Sequence, residues 1–210
     1  SVQITASHNP REYNGLKVSR KEALPVGLDS GLGEIERWIA QGKETPKSAT
    51  PGRVICKDIK AEYLQFQSRY KGDYSNLNIG IDLSNGMAAL IVKDLIPEGE
   101  NVAYIYDTID GSFPNHDPNP LVAENVEALK ALVAERGCDI GVIYDGDADR
   151  VMFVDEKSRF IAPDLIIALM GHYWLEKRGL KGKVLQDIRS SKSVGEYLVP
   201  MGAQMATWRV

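Results

Sequence analysis

Three carboxylates alternate along Asp145-Gly146-Asp147-Ala148-Asp149-Arg150, immediately behind the apolar run Ile140-Gly141-Val142-Ile143-Tyr144. This is the feature that most restricts how the chain can fold. An apolar run of that length bounded by turn residues reads as a buried strand. Three like charges at its end repel one another unless something cationic offsets them, and a divalent ion is the natural candidate. A set made only of oxygen ligands selects a hard cation such as Mg²⁺ or Ca²⁺. Gly146 supplies the tight backbone turn that lets alternate carboxylates converge. The rival reading is a solvated acidic turn, since turns are rich in Asp. Its place at the carboxyl end of a strand, where ligands of layered α/β sheets bind, tips the balance toward a site.

Other strands and helices alternate around it. Asn78–Leu83 and Val102–Tyr106 read as strands, as do Asp139–Tyr144 and Val151–Val154. A helical segment spans Ser84–Ile96, and a Pro/Asn-rich loop spans Ser112–Pro120. The helix Leu121–Arg136 shows Val122, Val126, Leu129 and Val133 on one face and stops at Gly137. A further helix, Pro163–Arg178, turns Ile166, Leu169, Met170 and Tyr173 inward and stops at Gly179, and Trp174 reads with Tyr173 as core. This alternation predicts an α/β fold, a mixed layered sheet with flanking helices. Upstream, Leu28, Leu32, Ile35 and Ile39 mark one amphipathic helix, residues 43–53 a connector, and Tyr63–Tyr70 a second helix. Lys183–Ile188 begins another strand–helix pair.

The charge balance, 25 Lys plus Arg against 29 Asp plus Glu, gives a net charge of −4. That argues against nucleic acid as a partner, which calls for a basic surface. It leaves room for a small anionic substrate in a locally basic pocket. Leu165–Leu175, the most apolar stretch, is too short to span a bilayer and is broken by His172, so no membrane is expected. Cys56 and Cys138 show no CxxC spacing, and Ser1–Ser7 has no leader-like pattern, so a reduced, cytoplasmic setting is the expectation. The sequence carries no signal for an oligomeric state.

Of two rivals for the acidic loop, the first falls on its details and the second is weakened by them. In an EF-hand, Asp145, Asp147 and Asp149 would take the first three ligand positions and Glu156 the twelfth. Arg150 then stands where a glycine is needed, and the flanks read as strands. A haloacid-dehalogenase-type phosphatase also places DxD behind a strand, but its motif normally continues with Thr or Val rather than a third Asp.

The second feature is Thr5-Ala6-Ser7-His8-Asn9-Pro10, followed by Tyr13-Asn14-Gly15-Leu16-Lys17. No GxSxG elbow surrounds Ser7, so a hydrolase triad is not indicated. A phosphorylated Ser7 would add about −1.5 to −2 charges and call for cations, which His8, Lys17 and Arg150 could supply. His116 and Asp117 sit in a Pro-rich loop that argues for a structural turn rather than a metal site, and His172 reads as a satisfied boundary histidine.

The Thr5–Pro10 hexapeptide resembles the phosphoserine loop of the α-D-phosphohexomutases, and Asp145–Arg150 resembles their magnesium loop. Asp82-Leu83-Ser84-Asn85-Gly86 resembles the opening of that family's second domain. Phe113–Pro120 resembles the segment before its crossover helix. The wording is closer to the phosphomannomutase/phosphoglucomutase branch than to phosphoglucosamine mutases, which tend toward DGDGDR. The resemblance implies an intramolecular phosphotransferase acting between hexose 1- and 6-phosphates through a phosphoserine enzyme and a bisphosphorylated sugar. It implies Mg²⁺ held by Ser7, Asp145, Asp147 and Asp149, with Ser7, His8, Lys17 and Arg150 catalytic. For Lys17 to act as a base, a neighbouring cation or burial must lower its pKa.

The family's domain plan divides the chain into residues 1–60 (end of domain 1), 61–182 (domain 2) and 183–210 (start of domain 3). The sugar-recognition loop and the last domain's phosphate loop have no counterpart here. On this reading the chain is a fragment, inactive alone, that works only as part of a longer enzyme. A non-catalytic metal-binding relative or a haloacid-dehalogenase-like phosphatase is the alternative.

Overall fold

The computed structural model describes residues Ser1–Arg209. Strands β1 (Val2–Ile4) and β2 (Leu16–Val18) form an antiparallel ribbon that pairs Gln3 with Lys17. Helices α1 (Leu32–Ala40) and α2 (Lys60–Ser68) follow, with no regular structure in the connector at 43–53. No residue before Ile79 is buried.

The core begins with β3 (Ile79–Asp82), then α3 (Val92–Leu95), β4 (Val102–Ile105) and α4 (Glu127–Arg136). It is completed by β5 (Ile140–Tyr144), β6 (Val151–Asp155) and the two-residue β7 (Phe160–Ile161). These strands make one five-stranded sheet in the order β4-β3-β5-β6-β7. β4, β3 and β5 are parallel, whereas β6 and β7 are antiparallel additions. The sheet is mixed and carries helices, as the alternation predicts. β3 is buried along its whole length, as expected of a strand covered on both faces. Leu129 and Val133 of α4 close over Gly141, where a Cβ would stand 2.8 Å from Val133.

Helix α5 (Pro163–His172), extended by a π-type turn at Tyr173–Lys177, leads to β8 (Lys183–Asp187), α6 (Lys192–Leu198) and β9 (Gln204–Trp208). β8 and β9 pair in parallel. Among the described residues, no helix is long and apolar enough to cross a membrane. Both cysteines are free, Cys56 exposed and Cys138 buried.

Four expectations need correction. The segment 84–96 is not one helix: Ser84 and Asn85 sit in the left-handed region, so the chain turns there and then forms a 3₁₀ turn at Met87–Leu90 before α3. The helix expected from Leu121 begins only after an extended Val122, which stays on the surface, and a 3₁₀ turn at Ala123–Val126. Val126, Leu129 and Val133 are buried as expected.

On α5 the period is right and the phase is wrong. Leu169, Met170, Tyr173 and Trp174 are exposed, while Ile167 and Leu175 pack against α6. Gly171 decides this, because its missing side chain admits Leu198, which would lie 2.5 Å from a Cβ there. Finally, the apolar face of the first helix is split between a 3₁₀ turn at Leu28–Ser30 and α1, and Leu28, Ile35 and Ile39 are exposed.

Candidate functional site

β5 delivers the acidic loop to the carboxyl end of the parallel strands, and β6 takes the chain back. The hairpin thus replaces the flanking helices that an EF-hand would need. The turn is closed at its base by Asp145 N–H to Arg150 O (3.2 Å) and Arg150 N–H to Asp145 Oδ1 (3.1 Å). Ala148, a non-glycine in the left-handed region (φ 62°), reverses the chain between the second and third carboxylates.

Two glycines set how near other segments come. A Cβ on Gly86 would lie 2.7 Å from Gly146 O, and Met87 N–H donates to that same carbonyl (2.9 Å). A Cβ on Gly146 would lie 2.6 Å from the carbonyl oxygen of Ser7. The acidic turn is therefore pressed against both the β3 turn and the Ser7 loop.

Asp145, Asp147 and Asp149 each offer a carboxylate oxygen, and these oxygens lie within 4.8 Å of one another. Asp145 Oδ2 and Asp147 Oδ1 are buried with no hydrogen-bond partner. Arg150 Nε stands 3.4 Å from Asp145 Oδ2 but lacks hydrogen-bond geometry. Orphaned buried acceptors are costly, and two aimed from one loop fit a hard divalent cation. Burial, with the neighbouring Asp149 and Asp147 charges, pushes the Asp145 carboxyl up to about 6, against the hydrogen bond it accepts from the Arg150 backbone. For Asp147, burial works upward too, but hydrogen bonds from Thr5 and Lys17 win and hold it below the usual carboxylate range.

The Ser7 loop meets this turn across more than 140 positions of sequence. Arg150 donates from Nη2 to Ser7 Oγ (2.9 Å) and also to His8 Nδ1. His8 Nδ1 is 3.3 Å from Ser7 Oγ. An imidazole nitrogen that accepts from a guanidinium carries no proton, and burial followed by the Arg150 charge lowers the His8 pKa accordingly. Ser7 itself lies in the left-handed region at φ 58°.

Lys17, on β2, places Nζ 3.2 Å from Asp147 Oδ2 and 3.1 Å from Asp149 Oδ2. Its hydrogen bonds to Asp149 and Asp147 raise its pKa, the reverse of what a base requires. Beside these groups lies a cavity of about 320 Å³, lined by Thr5, Ser7, Arg11, Tyr13, Phe113 and Asp147 among others.

All seven residues expected from the sequence thus come to one place. Sequence reasoning missed Thr5, whose hydroxyl donates to Asp147 Oδ2 (2.7 Å), although it opens the hexapeptide that contains Ser7. It also missed the pair Asp82–His116, in which Nε2 lies 3.0 Å from Asp82 Oδ2 and Nδ1 lies 2.8 Å from Asp117 O. With Asp82 ionised both partners are acceptors, so both ring nitrogens donate, as an imidazolium does. Burial opposes that charge, and the hydrogen bond to Asp82 outweighs it and raises the pKa. The pair is structural, as the Pro-rich loop suggested. Ser84, two residues after Asp82, donates from Oγ to Tyr144 O (2.6 Å) and so ties β3 to the residue before Asp145.

The chain is similar to known proteins along nearly its whole length. Residues 1–46 match the family described as phosphoglucomutase/phosphomannomutase, alpha/beta/alpha domain I, and residues 56–158 match its alpha/beta/alpha domain II. A protein named "Phosphohexose mutases" from Xanthomonas campestris pv. campestris is 35% identical over 204 residues, covering 96% of this chain and 45% of the relative. The phosphomannomutase of Escherichia coli K12 is 30% identical over 210 residues, covering 96% of this chain and 46% of the relative.

Among solved structures, a phosphoglucomutase/phosphomannomutase family protein from Burkholderia thailandensis superposes with a TM-score of 0.79 at 25% identity. It covers 100% of this chain and 44% of that protein. The chain spans a little under half the length of the relatives it matches.

Proposed function

Since the chain belongs to the phosphoglucomutase/phosphomannomutase family, we propose that the protein carrying it moves a phosphoryl group between the 1- and 6-positions of a hexose phosphate, using Ser7 as the carrier. The observation that carries this reading is the contact of Ser7 Oγ with Arg150 at the edge of the acidic turn. A serine hydroxyl with a guanidinium on one side and three carboxylates nearby is a poor hydrolase nucleophile. It is a good seat for a dianionic phosphoryl group, provided cations share the site.

Within the proposal the roles divide as follows. Ser7 Oγ carries the phosphoryl group; the sugar hydroxyl bonds to phosphorus as its proton passes to the base, and the P–Oγ bond breaks. The bisphosphorylated sugar then turns round and returns its other phosphoryl to Ser7. Arg150 pairs with the phosphoryl oxygens, the fork geometry for which arginine is suited. His8, neutral, orients the Arg150 guanidinium by accepting its N–H.

Asp145, Asp147 and Asp149, with Ser7, would hold Mg²⁺, which offsets charge in phosphoryl transfer. As found, Lys17 is a donor: its ion pairs keep the amine protonated. The base role we assign it applies once Asp147 and Asp149 are engaged elsewhere. We further assign residues 1–60 to the end of a first domain, 61–182 to a second domain and 183–210 to the start of a third, with a cytoplasmic location. The sugar is then held partly by segments outside this chain.

The test is phosphosite mapping on the intact protein after incubation with a hexose bisphosphate. One phosphoryl on Ser7 is expected. A phosphoryl on an aspartate, or none with the fold intact, overturns the reading in favour of a phosphatase or a non-catalytic relative. Asp147→Asn is expected to weaken divalent-ion binding by about 10-fold or more, since a formal charge and a buried acceptor are both changed. An unchanged Mg²⁺ titration curve would count against the ligand set.

A further inference from the structure

The carrier serine and the acidic turn lie far apart in the chain, and one small side chain touches both. Thr5 Oγ1 donates to Asp147 Oδ2 (2.7 Å), a bond spanning 142 positions. The same oxygen accepts the backbone N–H of Ser7 (2.8 Å). A hydroxyl has one proton to give and lone pairs to receive, so both bonds are made at once.

The consequences run in both directions. On the Asp147 side, Oδ2 is taken by Thr5 and Lys17, which leaves Oδ1 buried and unpartnered beside the equally unpartnered Asp145 Oδ2. On the Ser7 side, a residue held at φ 58°, a conformation unfavourable for an L-residue, has its amide anchored two residues back. Its Oγ stays on Arg150. The turn between Thr5 and Ser7 alone would be an ordinary loop device. The bond to Asp147 is what makes it more than that.

We propose that Thr5 is the positioning residue of this site. Its hydroxyl fixes the rotation of the Asp147 carboxylate, which leaves Oδ1 free for a cation, and in the same act ties the Ser7 backbone to the carboxylate that would hold it. The inference rests on the phosphotransfer reading and assigns to Thr5 a task that neither serine nor carboxylate performs. Serine can replace it, because it keeps the hydroxyl. Valine, of the same shape, cannot.

The experiment compares wild type, Thr5→Ser and Thr5→Val in the intact protein, with Thr5→Ala in parallel because it removes the hydroxyl without a branched methyl to place. Mg²⁺ and Mn²⁺ affinities are measured by calorimetry, and kcat and KM with a hexose monophosphate. Residues behind a metal ligand typically contribute 10–100-fold in affinity. Thr5→Val and Thr5→Ala are expected to raise the metal Kd by about 10-fold. They should also lower kcat by about 10-fold or more, with KM within about 2-fold, the pattern of an interaction that matters in the transition state. Thr5→Ser is expected to restore both.

Wild-type metal affinity in the valine and alanine variants overturns the Thr5 assignment, as does a serine variant as impaired as valine. A wild-type protein that binds neither ion overturns the phosphotransfer reading itself and the Thr5 role with it.

Discussion

Ser7→Ala is expected to remove mutase turnover by at least about 10³-fold, as loss of a covalent carrier does, while leaving the melting temperature nearly unchanged. The hydroxyl's structural contribution is small. Its partner is Arg150, which keeps a second acceptor in His8, so the guanidinium is not stranded. One exposed-to-half-buried hydrogen bond is worth about 1 kcal/mol. Alanine and serine meet the same backbone cost at φ 58°. Ser7→Gly sharpens the test, since glycine relieves that cost and should be at least as stable as alanine there while just as inactive. Mutase assay and thermal melt together check the result. Activity near wild type in either variant would remove the phosphoserine assignment.

The largest expected effect on stability lies elsewhere, at His116. Asp82 is fully buried in the middle strand of the parallel set, its Oδ1 satisfied by Ser84 N–H (2.7 Å) and its Oδ2 by His116. His116→Leu leaves that second oxygen as an uncompensated buried charge, which costs about 3–5 kcal/mol. For a chain of this size each kcal/mol is worth about 2–4 °C, so the melting temperature should fall by roughly 10 °C. Asp82→Asn in the same background should recover part of the loss.

The pH dependence has a definite sign. Because the folded-state pKa of His116 is raised above 6.5, the stabilisation is complete below about 6.5, the unfolded value, and fades as the pH climbs through the folded one. The gap in stability between wild type and His116→Leu should therefore narrow from pH 6 to pH 9. Denaturant titrations at the two pH values that give equal gaps would contradict the imidazolium.

Much of this was readable before any coordinates. Strands at Ile79–Asp82, Val102–Ile105, Ile140–Tyr144 and Val151–Asp155 fall within a residue or two of where alternating apolar runs put them. For β3 the reason is that a strand covered on both faces must be apolar over nearly its whole length. The acidic turn was legible because three carboxylates in five residues have few other uses.

What could not be read are matters of partnership. Period alone shows that α5 has an apolar face, but Gly171 and Leu198, 27 positions apart, decide which side it presents. Nothing near Asp82 announces that a histidine 34 residues later will charge itself to meet it. The two-residue β7 is too short to carry a pattern of its own. The left-handed Ser84 and Asn85, which break the segment expected to be a helix, draw on a turn chemistry that competes with helical periodicity and here wins.

The bonds that join Ser7 and its neighbours to the acidic turn span 130 to 143 positions, whereas β3, β4, β5 and β6 pair with partners much nearer in sequence. Closing a long loop is entropically dear, and contacts distant along the chain form late. No residue before Ile79 is buried, so little apolar area speeds that closure. Assembly of the site is therefore expected to follow the sheet: the carboxylates come into place with β5 and β6, and the Ser7 loop docks onto them afterward. Mild denaturant is then expected to release the Ser7 loop from the acidic turn before the sheet unfolds, which hydrogen exchange at Ser7 and in β3 would check.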